Sequence, residues 1–173
     1  MTVAGTGPHR DGTLTGDIGG SGGFLWFPAN LFIASAAGPV LEVQDAIHNG
    51  FLLDGTAAES VSVSFMCPYN WNAVLPIYYG YNAGAGAGGV VLGIYLEDII
   101  DGYNITTETP TPVADVTFAA GAQQVMQVKP SIVKQYVNAG EVNSLKVGRL
   151  PVDAGDTLAN DWGLIGVKLV RAG

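Results

Sequence analysis

Four stretches of this chain carry residue types that could do chemistry. In "NAGAGAGG", Gly84, Gly86 and Gly89 spell G-x-G-x-x-G. That pattern cradles a dinucleotide pyrophosphate when a strand leads in and a helix leads out, because the helix N-terminus turns its N–H groups toward the anion. Residues 75–81 alternate as a strand should, but the glycines are followed by "VVLGIYL". A short β-branched run of this kind reads as a second strand. With no helix start on offer, the glycines read as the loose, solvent-exposed tip of a β-hairpin. The second stretch, "GGSGG" at residues 19–23, places Ser21 in a G-x-S-x-G pattern. A nucleophile elbow needs a strand before that serine and a helix after it. Here a polar arm precedes it and "FLWF" follows, which is linker composition.

Cys67 is the third candidate and the only cysteine, so no internal disulfide forms. With His9 and His48 it supplies too few ligands for a His/Cys zinc site. A Cys67–His48 nucleophilic pair is conceivable from sequence, but Cys67 continues the apolar face of Val61, Val63 and Phe65. That placement makes it a buried structural thiol. The fourth stretch, "DAGDTLAND", holds Asp153, Asp156, Asn160 and Asp161. Calcium takes carboxylate and carbonyl oxygens, yet the EF-hand spacing and its glycine are missing. Asp and Asn also close turns on their own backbone. Asp153 and Asp156 are therefore read as turn-structuring residues, with Asp156 fixing a hairpin between the last two strands. No catalytic residue, metal site or cofactor site is expected.

The elements that must position these residues are strands. "ESVSVSFMC" alternates Val61, Val63, Phe65 and Cys67 with Ser60, Ser62, Ser64 and Met66, the period-two mark of a half-buried strand. Further strands are expected at residues 24–27, 31–33, 40–43, 47–53, 75–81, 90–96, 114–118, 125–128, in "SLKVGR" and in "LIGVKLV". Turn clusters separate them, among them "HNG", "LDGT", "TETPTP" and "NAGE". Only residues 123–129 and 131–140 could hold a turn or two of helix, divided by Pro130. Eight to ten short strands at regular intervals predict an all-β chain, an antiparallel β-sandwich folded as a single jelly roll. The expected organisation is a flexible Gly-rich arm over residues 1–23 and a jelly-roll domain over residues 24–173.

Composition narrows the function. The chain has 173 residues and a net charge of −8, with 48% apolar and only 13% charged residues. From Asp11 to Val128 no Lys or Arg occurs. A nucleic-acid partner needs basic patches to displace counterions, so none is expected. A surface so poor in charge suits contact with other subunits, since burying charge is costly. Residues 18–41 carry no charge, but Pro28, Asn30, Pro39 and several glycines break the run. No membrane span and no signal peptide is expected there. Tyr69, Trp71, Tyr78, Tyr79 and Tyr81 cluster within thirteen residues. Such aromatics line sugar-binding faces or anchor protein interfaces, and more often pack a core.

A family resemblance adds to this reading. The segment from "ESVSVSFMCPYNWNAVLPIYYGYNAGAGAGG" onward, with "LKVGRLPVDAGDTLANDWGLIGVKLV" downstream, resembles small bacteriophage structural proteins. The matching positions are Pro68, Trp71, Gly84–Gly89, Arg149, Asp153, Asp156, Thr157 and Leu158, within a resemblance spanning roughly residues 59–170. Size, low charge and strand content are similar to the smaller capsid protein of tailless, internal-membrane icosahedral phages of thermophilic bacteria. The resemblance implies a virion-located capsid subunit that assembles with itself and with a second, larger capsid protein, near an internal viral membrane. The other reading is a carbohydrate- or receptor-binding β-sandwich module, such as a decoration or fibre protein. The apolar residues 24–27 could add as a strand to a neighbour's sheet edge, giving a strand-exchanged homodimer. Phe24, Trp26, Phe27, Trp71 and Tyr78 are the expected interface residues, with Trp26 as anchor.

Overall fold

The computed structural model describes residues 14–15, 23–35, 38–43, 49–99 and 111–172. Among them lie thirteen strands: β1 (Leu14–Thr15), β2 (Phe24–Pro28), β3 (Ile33–Ala34), β4 (Val40–Val43), β5 (Asn49–Leu53), β6 (Ser60–Met66), β7 (Ala73–Asn82), β8 (Gly89–Ile99), β9 (Val113–Ala119), β10 (Met126–Pro130), β11 (Gln135–Tyr136), β12 (Val142–Arg149) and β13 (Trp162–Arg171). They form two antiparallel sheets, of eight and five strands. Sheet A is built on β13. β7 runs along one side of it, while β2 covers residues 166–170 and β5 covers 162–164 on the other. β1 extends β2, β4 extends β5, and β10 and β11 both pair with β7. Sheet B runs β3–β6–β12–β8–β9. This is the all-β jelly-roll sandwich that the alternating pattern implied.

Alternation decides what lies between the sheets. Side chains two apart share a face, so Leu25 and Phe27 of β2 and Leu164, Val167 and Leu169 of β13 point inward from sheet A. Val61 and Phe65 of β6, Leu145 and Val147 of β12, and Leu92 and Ile94 of β8 meet them from sheet B. Phe27 and Phe65 join the two layers with ring centroids 5.2 Å apart. Each such large apolar side chain stabilises the fold by about 1.5–3 kcal/mol when fully buried.

The "NAGAGAGG" segment is not a hairpin tip. β7 belongs to sheet A and β8 to sheet B, so residues 83–88 arch from one sheet to the other. Asn82 holds the arch from inside. Its Nδ2 donates to the carbonyls of Gly86 (2.7 Å) and Gly121 (3.2 Å), and its Oδ1 accepts from the N–H of Gly84. A Cβ on Gly84 or Gly86 would run into the Asn160 side chain, and one on Gly88 into the Leu158 backbone. The glycines are there so that two loops can touch, not to admit a phosphate. Likewise, β12 and β13 lie in different sheets, so "DAGDTLAND" is an arch and not the turn of a hairpin. The weak helix signal at residues 123–140 resolves into β10 and β11, because both find the free edge of β7.

Within the single chain, β2 pairs between β1 and β13. Of the expected N-terminal arm, Leu14–Thr15 pair with Trp26 and Leu25; residues 1–13 and 16–22 lie outside the described residues. So do Ser21, His9 and His48, and with His48 the conceivable pair with Cys67. No helix of the described residues is long and apolar enough to cross a membrane.

Candidate functional site

The outer face of sheet B is the polar one. Val61, Phe65, Leu145, Val147, Leu92 and Ile94 point inward, so the residues between them point out. Register then lines these up in rows across β6, β12 and β8. Ser64, Ser144 and Glu97 form one row; Ser62, Lys146 and Tyr95 form the next; Ser60, Gly148 and Gly93 form the third. Met66, Val142 and Ile99 make an apolar row at the other end. The Tyr95 hydroxyl donates to Glu97 Oε2 at 2.9 Å, which ties its ring to the neighbouring row.

At the Ser60 end of that row lies a cavity of about 320 Å³, lined by Ser35, Glu59, Ser60, Thr111, Pro112 and Lys146 among others. Small residues make that shape. A Cβ on Gly148 would come within 2.6 Å of the Glu59 carbonyl and 3.3 Å of Pro112. One on Gly93 would meet Leu150 at 2.9 Å and Pro112 at 3.0 Å. Pro112 and Leu150 therefore lie down on the two glycines and wall off that end of the groove. Glu59 is fixed at the rim, one of its oxygens accepting the N–H of Asp54 at 2.8 Å. Hydroxyls that both donate and accept, one ammonium and two carboxylates, around a single exposed-side ring, match a ligand rich in hydroxyl groups.

The residues expected to meet a partner are placed differently. Phe27, Trp71 and Tyr78 are core residues at 2%, 1% and 0% exposure, so their side chains pack inside this chain instead of on its surface. The Tyr78 hydroxyl donates to Asp115 Oδ2 at 2.5 Å, and Ser131 donates to Oδ1 at 2.7 Å, fastening β7 of sheet A to β9 of sheet B. Burial, and then the Asp115 charge, push the Tyr78 phenol well above its ordinary value of 10. Phe24 and Trp26 do point outward, from sheet A. Lys168 Nζ sits 4.3 Å from the Phe24 ring centroid. Trp26 covers Gly166, where a Cβ would meet the indole at 2.5 Å, and stands edge-on to Tyr79 with centroids 5.0 Å apart.

Asp153 closes its turn as expected, its Oδ1 accepting the N–H of Gly155 at 2.8 Å. Asp156 does something else. Its carboxylate holds Arg149 in a bidentate pair, Nη2 to Oδ1 at 2.7 Å and Nε to Oδ2 at 2.9 Å, and accepts the N–H of Val91 at 3.0 Å. Arg149, fully buried, also donates to the carbonyls of Asn160 (2.6 Å), Leu53 (3.4 Å) and Leu158. All five of its donors are engaged, linking sheet B to the last arch and to β5 of sheet A. Cys67 is buried, and burial, then the Asp98 charge, push its thiol up to about 11, so it is a poor nucleophile. Among the described residues no group of three or more His, Cys, Asp or Glu side chains gathers where a metal could be held.

The groove residues were not legible as a site. The serines of "SVSVS" read only as a solvent face, and nothing in the sequence says that Lys146 and Tyr95 stand beside Ser62. That adjacency comes from register alone.

No family model and no curated protein sequence matches the chain. Solved structures do share its fold. A family 35 carbohydrate-binding module from Clostridium thermocellum superposes with a TM-score of 0.57 at 14% identity, covering 86% of this chain and 98% of that one. The CBM36-1 domain of a multidomain xylanase from the hindgut metagenome of Trinervitermes trinervoides gives 0.53 at 15%, covering 87% and 98%. A CBM36 module in complex with calcium and xylotriose gives 0.50 at 17%, covering 83% and 98%. These neighbours are jelly-roll carbohydrate-binding modules. They overturn the expectation of a bacteriophage capsid subunit, since the solved structures that share this fold are carbohydrate-binding modules.

Proposed function

We propose that this chain is a non-catalytic carbohydrate-binding module that holds a glycan along the outer face of sheet B. The observation that carries the reading is the pair of polar rows, Ser64–Ser144–Glu97 and Ser62–Lys146–Tyr95, leading into a walled cavity. A sugar presents hydroxyls at its equator and C–H groups on its faces. The rows supply donors and acceptors for the first, and the Tyr95 ring supplies an apolar surface for the second. That the fold neighbours are carbohydrate-binding modules supports binding over catalysis. One neighbour was solved with calcium, but Asp153 and Asp156 here are engaged by Gly155 N–H, Val91 N–H and Arg149.

Affinity electrophoresis and calorimetry against xylan, mannan, galactan and glucan series, with calcium or with EDTA, test it. Micromolar to millimolar binding to one series, retained in EDTA and weakened about tenfold by Tyr95→Ala, is the expected result. Absence of binding to every series, or binding that Tyr95→Ala and Lys146→Gln leave untouched, would sink it.

A further inference from the structure

We infer that the cavity beside Lys146 receives one terminal sugar residue, so that the protein reads the ends of glycan chains and not their interiors. The inference rests on the glycan reading above and gives that site its specificity. Three observations lead to it. First, the groove is blind: Pro112 and Leu150 press onto Gly93 and Gly148 and close the row in which they stand. A long chain lying over Tyr95 and Lys146 cannot run on past that wall. Second, the cavity holds about 320 Å³, at the floor of the roughly 300–1,000 Å³ range of small-molecule sites. That is room for one ring and its hydration, not for a run of rings. Third, the closed end gathers polar side chains beside the apolar Ala58, Pro112 and Leu150. Ser35, Glu59, Ser60, Thr111 and Lys146 all line the cavity, whereas the far end of the groove finishes on Met66, Val142 and Ile99. Only two polar rows lie between, spaced roughly 6.8 Å apart along the strands.

Within the cavity the groups divide by role. Lys146 donates, and Glu59, steadied by the Asp54 N–H, accepts from a vicinal pair of hydroxyls. Ser35, Ser60 and Thr111 are adaptable and can serve either sense. A terminal residue offers one more free hydroxyl than an internal one, at the carbon that would otherwise carry the next glycosidic bond. A chain continuing in that direction would meet the Pro112 wall.

The experiment is a length series. Calorimetry is run with mono-, di-, tri- and hexasaccharides of xylose, mannose, galactose and glucose, and with each polysaccharide before and after limited endo-hydrolysis. The expected result is affinity that saturates by the tri-saccharide, changing less than threefold to the hexamer, and polysaccharide capacity that rises with the number of ends. Glu59→Gln should weaken the trisaccharide about tenfold and Ser64→Ala less than threefold. Ala58→Trp, at an exposed position on the cavity lining, should plug it and abolish binding while the melting curve stays in place. Affinity that climbs more than tenfold from trimer to hexamer, or an Ala58→Trp protein that binds normally, overturns end recognition while leaving the glycan reading standing. Absence of binding by every sugar and polymer overturns both.

Discussion

The outer faces of the two sheets are built on the same plan and filled in opposite ways. On sheet A the rows read Phe24–Val170–Leu75, Trp26–Lys168–Ile77 and Pro28–Gly166–Tyr79. On sheet B they read Ser64–Ser144–Glu97, Ser62–Lys146–Tyr95 and Ser60–Gly148–Gly93. Each face has a lysine at the centre of its middle row and glycine at the centre of the next. On sheet A the glycine is roofed by an indole, and the lysine lies over a phenyl ring. The face closes on itself, aromatic upon backbone. On sheet B the glycines carry Pro112 and Leu150 from flanking loops, and the lysine borders an open cavity. The contrast teaches that an exposed aromatic cluster is a poor pointer to a binding face when its rings already have partners. The less conspicuous face, made of serines, a lysine and one tyrosine, borders the cavity.

The largest expected effect strikes both faces together. Asp156→Ala leaves the Arg149 guanidinium buried without its counter-ion and frees the Val91 N–H, at the joint between sheet B, the last arch and β5. Breaking a buried pair by removing one partner costs about 3–5 kcal/mol, and chemical denaturation should show a loss of that size. A loss below about 1 kcal/mol would mean that the aspartate merely closes its own turn and the faces do not share this joint.

Trp26→Ala should separate the faces. It uncovers Gly166 and removes the edge-on contact with Tyr79, at a cost of about 2–3 kcal/mol, less than the roughly 3–5 kcal/mol of a fully buried tryptophan. Sugar affinity measured by calorimetry should not change. If affinity falls with the fold intact, the binding face has been assigned to the wrong sheet.

Tyr95→Ala should do the converse. Stability should fall by about 1 kcal/mol, the scale of one strand aromatic and one exposed hydrogen bond, while the glycan dissociation constant rises about tenfold, roughly 1.4 kcal/mol. Smallest of all is the comparison of the two lysines. Lys168→Gln removes a cation from the Phe24 ring and should cost about 0.5 kcal/mol of stability, with no effect on binding. Lys146→Gln should weaken the sugar about tenfold. Equal behaviour of the two lysines would erase the distinction between the faces.

Sequence and tertiary structure divided the work unevenly. The period-two alternation of "SVSVSF" and "SLKVGR" was enough to assign strands, inward faces and an all-β sandwich, because a strand's two faces follow from its backbone geometry alone. The β-branched run after the glycines was enough to dismiss a dinucleotide site, since only a helix start could have bound the phosphates. Asp153 as a turn former was also legible, because its bond to Gly155 N–H is local. What alternation cannot say is which strand lies beside which. Residues 83–88 read as a hairpin tip because hairpins are the cheapest connection between successive strands, yet β7 and β8 part company into different sheets. The aromatics of β2 and β7 read as an interface because their side chains are large and apolar. Whether such a side chain fills the core, as Phe27 and Tyr78 do, or covers a glycine from outside, as Trp26 does, depends on what the opposite strand offers. The groove has the same origin. Ser62, Tyr95 and Lys146 stand in one row although Ser62 and Lys146 are 84 positions apart in the chain. Strand pairing over such a separation is selected by the packing of the whole core, and no local pattern encodes it.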